Sequence, residues 1–287
     1  MWMLPIIRVL LLFMIGCITC NSDVMEASLG QFPAMVAVLY DGVPRKYICA
    51  ASLIAPTFVL SVAVCYGKIP RVTEVKIMGG DVHLQETSTV KDRQEIGVLR
   101  ITIHPKYDGV SYNFAILELK KLVERSRYFH SIGITSSRPR VHTNCKVAGW
   151  DLLNRKAAPL LFTEALVYSD VDCASVPFEV HEQTMFCAGI KEGGLQTIGI
   201  DQGGPIICNG KLAGVASQPL SASKESVYGG YSDVSAVSEW IHSILNEKMK
   251  RIWLSSKAKG SASPAGTLIN YRKVLVAFYA TLKSNLQ

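Results

Sequence analysis

Along residues 28–238 the apolar positions fall in short runs rather than long stripes: AMVAVLY (34–40), YICAASLI (47–54), IGVLRITI (96–103), NFAILEL (113–119) and KLAGVAS (211–217). Gly, Pro, Asp and Ser punctuate these runs, and turn dipeptides such as Asp41-Gly42 and Asn209-Gly210 sit between them. Runs of this length, several rich in β-branched residues, predict strands, and their even succession predicts an all-β barrel or sandwich. The period changes late. From about Ala236 to Met249 it becomes helical, with Val237, Trp240, Ile241, Ile244 and Leu245 on one stripe. Beyond it, SSKAKGSASPAG (255–266) lacks large apolar residues and predicts a flexible linker. TLINYRKVLVAFYATLKSNL (267–286) regains enough apolar character for a short amphipathic helix carrying Arg272 and Lys273. No internal repeat is visible.

The ends of the chain change this picture. MWMLPIIRVLLLFMIGCITC (1–20) has one basic residue, Arg8, then an apolar run to Ile15, then small residues. This is the pattern of a secretory signal with cleavage around Thr19 or Cys20, and the run is too short to span a bilayer. A lipoprotein site at MIGC (14–17) ranks below it. The expected division is 1–20 signal peptide, 21–246 folded body and 247–287 a basic, partly disordered extension. The net charge of +7 is uneven, because residues 247–287 hold eight Lys/Arg against one acid, Glu247. Residues 21–246 carry 21 basic and 22 acidic side chains. A neutral body in an exported chain argues against nucleic acid. The extension suits a glycosaminoglycan or an anionic membrane surface.

With 49% hydrophobic and 18% charged residues over 287 positions, the chain is globular and long enough for a sizeable core. Six cysteines follow the signal: Cys49, Cys65, Cys145, Cys173, Cys187 and Cys208. An even number in an exported chain predicts three disulfides. The absence of a CxxC pair among these six argues against zinc, and no metal or cofactor is expected.

Eight islands occur in a definite order: QFPAMVAVL (31–39), CAASLIAPTFVLSVAVC (49–65), HPKY (104–107), YNFAILEL (112–119), VAGW (147–150), MFCAG (185–189), DQGGPIICNGKLAGVAS (201–217) and EWI (239–241). Together they resemble the trypsin/chymotrypsin-like serine protease family across nearly all of 21–246. The resemblance implies two antiparallel Greek-key β-barrels packed together, with a C-terminal α-helix. It also implies the disulfides Cys49–Cys65, Cys145–Cys208 and Cys173–Cys187. A fourth family bridge would need cysteines near Ile198 and Ala222; both are missing, which should loosen the substrate-pocket walls.

The family's reaction uses a hydroxyl nucleophile, an imidazole base and a carboxylate that orients the imidazole. By the same resemblance, the imidazole position just before Cys65 is Val64, the carboxylate position is Asn113 and the nucleophile position is Gln202. Valine carries no proton, and a glutamine amide is a poor nucleophile. The oxyanion-hole position normally held by Gly is Ile200, whose branched side chain crowds the backbone. At the specificity pocket, Gln196 occupies the floor, and Ser217 and Pro219 form the groove wall. Pro219 lacks the N–H that would pair with an extended peptide. Asp201 is retained, and in the family this carboxylate pairs with a new N-terminal ammonium. Counting back from Pro33 places that terminus at Asn21; bonding of Asp201 to nearby groups is the preferred alternative.

These residues support three functional expectations. The preferred one is a secreted, non-catalytic homologue acting by protein binding as a cofactor, decoy or regulator, with an active protease or its substrate as partner. The others are a polyanion- or membrane-surface-binding protein acting through the basic extension, and a residual serine-type endopeptidase.

Overall fold

In the computed structural model, residues 24–69, 71–85, 88–150, 159–175, 183–189, 201–218 and 228–259 are described. The first half closes into a six-stranded antiparallel barrel. Its strands are β2 (Met35–Tyr40), β3 (Lys46–Ala55), β4 (Phe58–Ser61), β5 (Val75–Gly79), β6 (Gln94–Ile103) and β7 (Ala115–Leu119), in spatial order β2-β3-β4-β7-β6-β5. The second half uses β8 (Asn144–Gly149), β9 (Leu161–Val167), β10 (Met185–Gly189), β11 (Pro205–Cys208), β12 (Lys211–Gln218) and β13 (Tyr228–Asp233). Their order is β9-β10-β13-β12-β11-β8, and the β8–β9 pairing closes the ring. The short β1 (Val24–Glu26) is added outside, antiparallel to β9. Closure removes the open edges that would otherwise template aggregation.

Alternation along β2 explains why AMVAVLY lacks the apolar/polar rhythm of a half-exposed strand. Val36 and Val38 point into the first barrel with Leu53, Ile77 and Leu117. Met35, Ala37 and Leu39 point the other way and pack with Trp150, Leu160 and Phe162 of the second. A strand covered on both faces is apolar at every position. Trp150 is fully buried at this seam, and its indole N–H donates to the Val82 carbonyl at 2.8 Å.

The three disulfides join Cys49–Cys65, Cys145–Cys208 and Cys173–Cys187, the pairs that the resemblance implies. Such bridges fit an extracellular protein. No described helix is long and apolar enough to cross a membrane, and no group of metal-binding side chains occurs among the described residues.

The C-terminal helix departs from expectation in length. A 3-10 turn (Val234–Val237) is capped by the Asp233 carboxylate, which accepts from Ser235 N at 2.9 Å; helix α1 then runs over Ser238–Lys259. It continues beyond Met249 and takes in residues 255–259 of the expected linker. Two features extend it. Ile252 prolongs the buried stripe of Val237, Ile241 and Leu245, and neither Gly nor Pro occurs between Ser238 and Lys259. The helix is also fastened ionically. The buried Glu118 of β7 receives Lys248 at 2.6 Å, Arg100 at 3.0 Å and Arg251 at 3.7 Å. The expected short helix within 267–286 lies outside the described residues.

A second charged hub pins the loop between β5 and β6. Arg93 donates to the carbonyls of His83 (3.0 Å) and Gln85 (2.8 Å), and pairs with Asp81 (3.3 Å) and Glu95 (3.0 Å). The Asp81 side chain is 0% exposed and that of Arg93 9%. Removing one partner of such a pair leaves the other buried without compensation. Arg93→Met should therefore lower unfolding stability by about 3 kcal/mol. The exposed pair of Arg71 with Glu74 is the control, and Arg71→Met should cost no more than ~1 kcal/mol. Urea melts of both variants beside the parent check the difference.

Candidate functional site

Three local structures from both barrels meet at one cleft. Val64 sits in the 3-10 turn Ala63–Tyr66 that follows β4, and the Cys49–Cys65 bridge ties this turn to β3. Asn113 lies just ahead of β7 and is buried. Gln202 belongs to the loop that enters β11 from the second barrel. Its carbonyl accepts from Ala50 N at 3.0 Å, across the seam between the barrels.

That seam is close because Gly203 has no side chain. Its φ is +81°, and a Cβ there would fall 2.2 Å from the Ala50 carbonyl oxygen and 2.6 Å from Ser61 Oγ. Only glycine meets both the left-handed backbone and the lack of space. Gly203 N donates to Ala216 O at 2.8 Å, and Gly204 N to Asp201 O at 2.8 Å, so the loop is pinned on both sides.

The three positions marked in the sequence are brought together. Val64 N–H donates to Asn113 Oδ1 at 3.0 Å, and Asn113 Nδ2 donates to Ser217 Oγ at 2.8 Å. Gln202 Oε1 lies 4.0 Å from Cys65 Sγ, beside the same turn. The chain from Val64 through Asn113 to Ser217 consists of an amide N–H, a carboxamide and a hydroxyl. None of these titrates near neutral pH. Val64 is 43% exposed, so this turn opens to solvent.

Neighbouring polar groups are engaged elsewhere. Ser217 is buried, and its hydroxyl serves Asn113 rather than standing free on a groove wall. Ser61 is buried and donates to the Ala50 carbonyl at 2.9 Å. His104 stacks on Tyr112 at 4.8 Å and meets the edge of Trp240 at 4.7 Å. Its Nδ1 accepts from Lys106 N at 3.2 Å, and burial, then the Lys106 charge, holds its pKa below the ordinary histidine value. It is a packing residue.

Asp201 accepts a hydrogen bond from Trp150 N. The buried Tyr47 phenol, which has no hydrogen-bond partner among the described residues, is pushed well up by burial and then by the Asp201 charge. A local backbone donor thus serves the retained carboxylate, while Asn21, the terminus counted back from Pro33, lies outside the described residues, as do Gln196, Ile200, Pro219, Ile198 and Ala222. Sequence reasoning missed one contact here and one electrostatic neighbour. The Asn113–Ser217 bond joins residues 104 positions apart, and Tyr47 gives no local sign of feeling the Asp201 charge.

Comparison with known proteins places this geometry. Residues 22–241 match the family model described as Trypsin. The chain is 31% identical to trypsin II-P29 of Gallus gallus over 202 residues, covering 68% of this chain and 78% of that protein. It is 29% identical to trypsin-1 of Gadus morhua over 200 residues, covering 68% and 80%. Among solved structures, neuropsin, a serine protease expressed in the limbic system of mouse brain, superposes with a TM-score of 0.66 at 24% identity. That match covers 77% of this chain and 98% of neuropsin, and it bears on the fold. The paired closed barrels, the family match over 22–241 and the trypsin relatives agree: this chain belongs to the trypsin family.

Proposed function

We propose that the protein is a secreted, non-catalytic member of the trypsin family that works by binding another extracellular protein, an active protease or the substrate of one. The observation carrying this reading is the Val64–Asn113–Ser217 chain, which fills the site of a proton relay with groups that relay no proton. Hydrolysis in this fold requires a nucleophile, a base to take its proton and a carboxylate to hold the base. Gln202, Val64 and Asn113 supply none of the three. Loss of a whole triad costs turnover about 2 × 10⁶-fold, and an intact oxyanion hole retains ~10³–10⁴-fold over water. Ile200 at the oxyanion position weakens even that remainder. What the family frame still offers is a rigid barrel pair carrying variable loops, a common basis for recognition.

A second reading has its own observation. Lys248 and Arg251 of α1 and Arg100 of β6 converge on the single acid Glu118, so cations outnumber anions at this corner before the rest of the basic extension is counted. A sulfated polysaccharide is the natural ligand for such a surface.

Two measurements separate these readings from residual proteolysis. Purified protein should turn over no peptide in a fluorogenic panel and take no label from a fluorophosphonate probe. Gln202→Ser alone should remain unlabelled, because Val64 leaves the new hydroxyl without a base. Capture from extracellular fluid at physiological salt should recover a defined protein partner, and recovery of none counts against the binding role. Heparin retention should fall in the Lys250→Ala/Arg251→Ala variant lacking 260–287 and in rising salt. Unchanged retention removes the second reading.

A further inference from the structure

Away from the cleft, a cavity of about 350 Å³ lies between the barrels. It shares no lining residue with the cleft: Val64, Asn113, Asp201, Gln202 and Ser217 are all absent from its wall. Phe32, Pro33, Met35, Ile132 and Ile207 make one side apolar, while Gln31, Ser52, His130, Ser131 and Lys146 bring polar groups to it. The volume falls within the range of small-molecule sites.

Ser52 is the sign that something is meant to be met there. On β3 it pairs with Met35, and both stand on the strand face opposite Ala51 and Leu53, which point into the first barrel. The Ser52 side chain is therefore turned toward the second barrel and the cavity. It is 1% exposed, and its hydroxyl has no hydrogen-bond partner. A buried hydroxyl without a partner is unfavourable, and in native proteins such a group commonly awaits a ligand or a water.

Lys146 gives the charge preference. It lies on β8 opposite Ile207, in the wall of the same cavity. Among the described residues it forms no ion pair, and its ammonium is 5.9 Å from the centroid of the Phe162 ring. The acid opposite it in register, Glu164, accepts from Asn144 Nδ2 at 3.2 Å. No residue lining the cavity is acidic. Of the other polar groups in the wall, the His130 ring lies 3.3 Å from the Ser131 carbonyl and Gln31 accepts from Ser28 N. The Lys146 ammonium and the unpartnered Ser52 hydroxyl beside the apolar side therefore match an anionic head on a small apolar body.

We propose that this cavity binds a small monocarboxylic acid with an aromatic or branched aliphatic body. The carboxylate is held by the Lys146 ammonium and the Ser52 hydroxyl, and the body lies against Phe32, Pro33, Met35, Ile132 and Ile207. The site is independent of whether the cleft hydrolyses anything.

Phenylacetate is a suitable probe, titrated into the full chain by calorimetry, with phenylacetamide as its uncharged match. The acid should bind saturably with Kd at or below about 1 mM, as expected for a ligand of this size, and the amide ~10-fold more weakly. Lys146→Met and Ser52→Ala should each weaken the acid ~10-fold. Both variants should keep the parent melting temperature, because Lys146 is exposed and Ser52→Ala removes an unpartnered hydroxyl. Lost affinity in either folded variant, together with discrimination against the amide, supports the site. The proposal is overturned if phenylacetate shows no saturation, if the amide binds as well as the acid, or if both variants bind like the parent.

Discussion

The cleft depends on one close approach. Gly203 lies against the Ala50 carbonyl with no room for a side chain, and Ala50 N–H reaches back to the Gln202 carbonyl. This contact fixes the loop of the second barrel against strand β3 of the first, and so sets where Gln202, Val64 and Asn113 stand relative to one another. It is a constraint on backbone, not on the chemistry of the neighbouring side chains. The trypsin frame therefore rests on this contact rather than on the Val64–Asn113–Ser217 hydrogen bonds beside it.

The side chains at the cleft are also locally satisfied. The Asn113 amide uses both ends: the oxygen takes the Val64 N–H and the nitrogen serves Ser217. A buried carboxylate would need a positive partner, whereas the amide is satisfied by neutral groups. Val64 is tolerated because its position opens to solvent, where a single exposed valine costs little. Asp201 keeps a nearby donor in Trp150 N–H.

How much of this was legible in the sequence follows from the range of each interaction. The two barrels, the disulfide pairs and the terminal helix follow from the ordered islands and the family resemblance they carry, and the even number of cysteines gives three bridges, patterns that span many residues. The helix end was misjudged because Ser255 and Ser256 give a linker-like composition, while the buried Ile252 and the lack of Gly or Pro carry the helix on to Lys259. Val64, Asn113 and Gln202 were singled out by their places within motifs, and the fold brings them to one cleft. Their hydrogen-bond partners were not. Ser217 and Tyr47 become neighbours of the cleft only after strands distant in sequence are stacked, and Ser52 becomes an unpartnered hydroxyl only once the second barrel covers it.

Helix α1 has a mechanical consequence. It follows the second barrel in the chain, yet Ile241 and Leu245 pack with Ile54, Phe58 and Phe114 of the first and with Leu212 and Val215 of the second. Its ionic anchor, Glu118, belongs to the first barrel as well. The helix is thus a strap across two halves that are linked in series. Tension applied at the carboxyl end strips this strap before any strand is loaded in shear, and prising the halves apart breaks the same contacts. Neither half can come undone while the other keeps its full complement of neighbours.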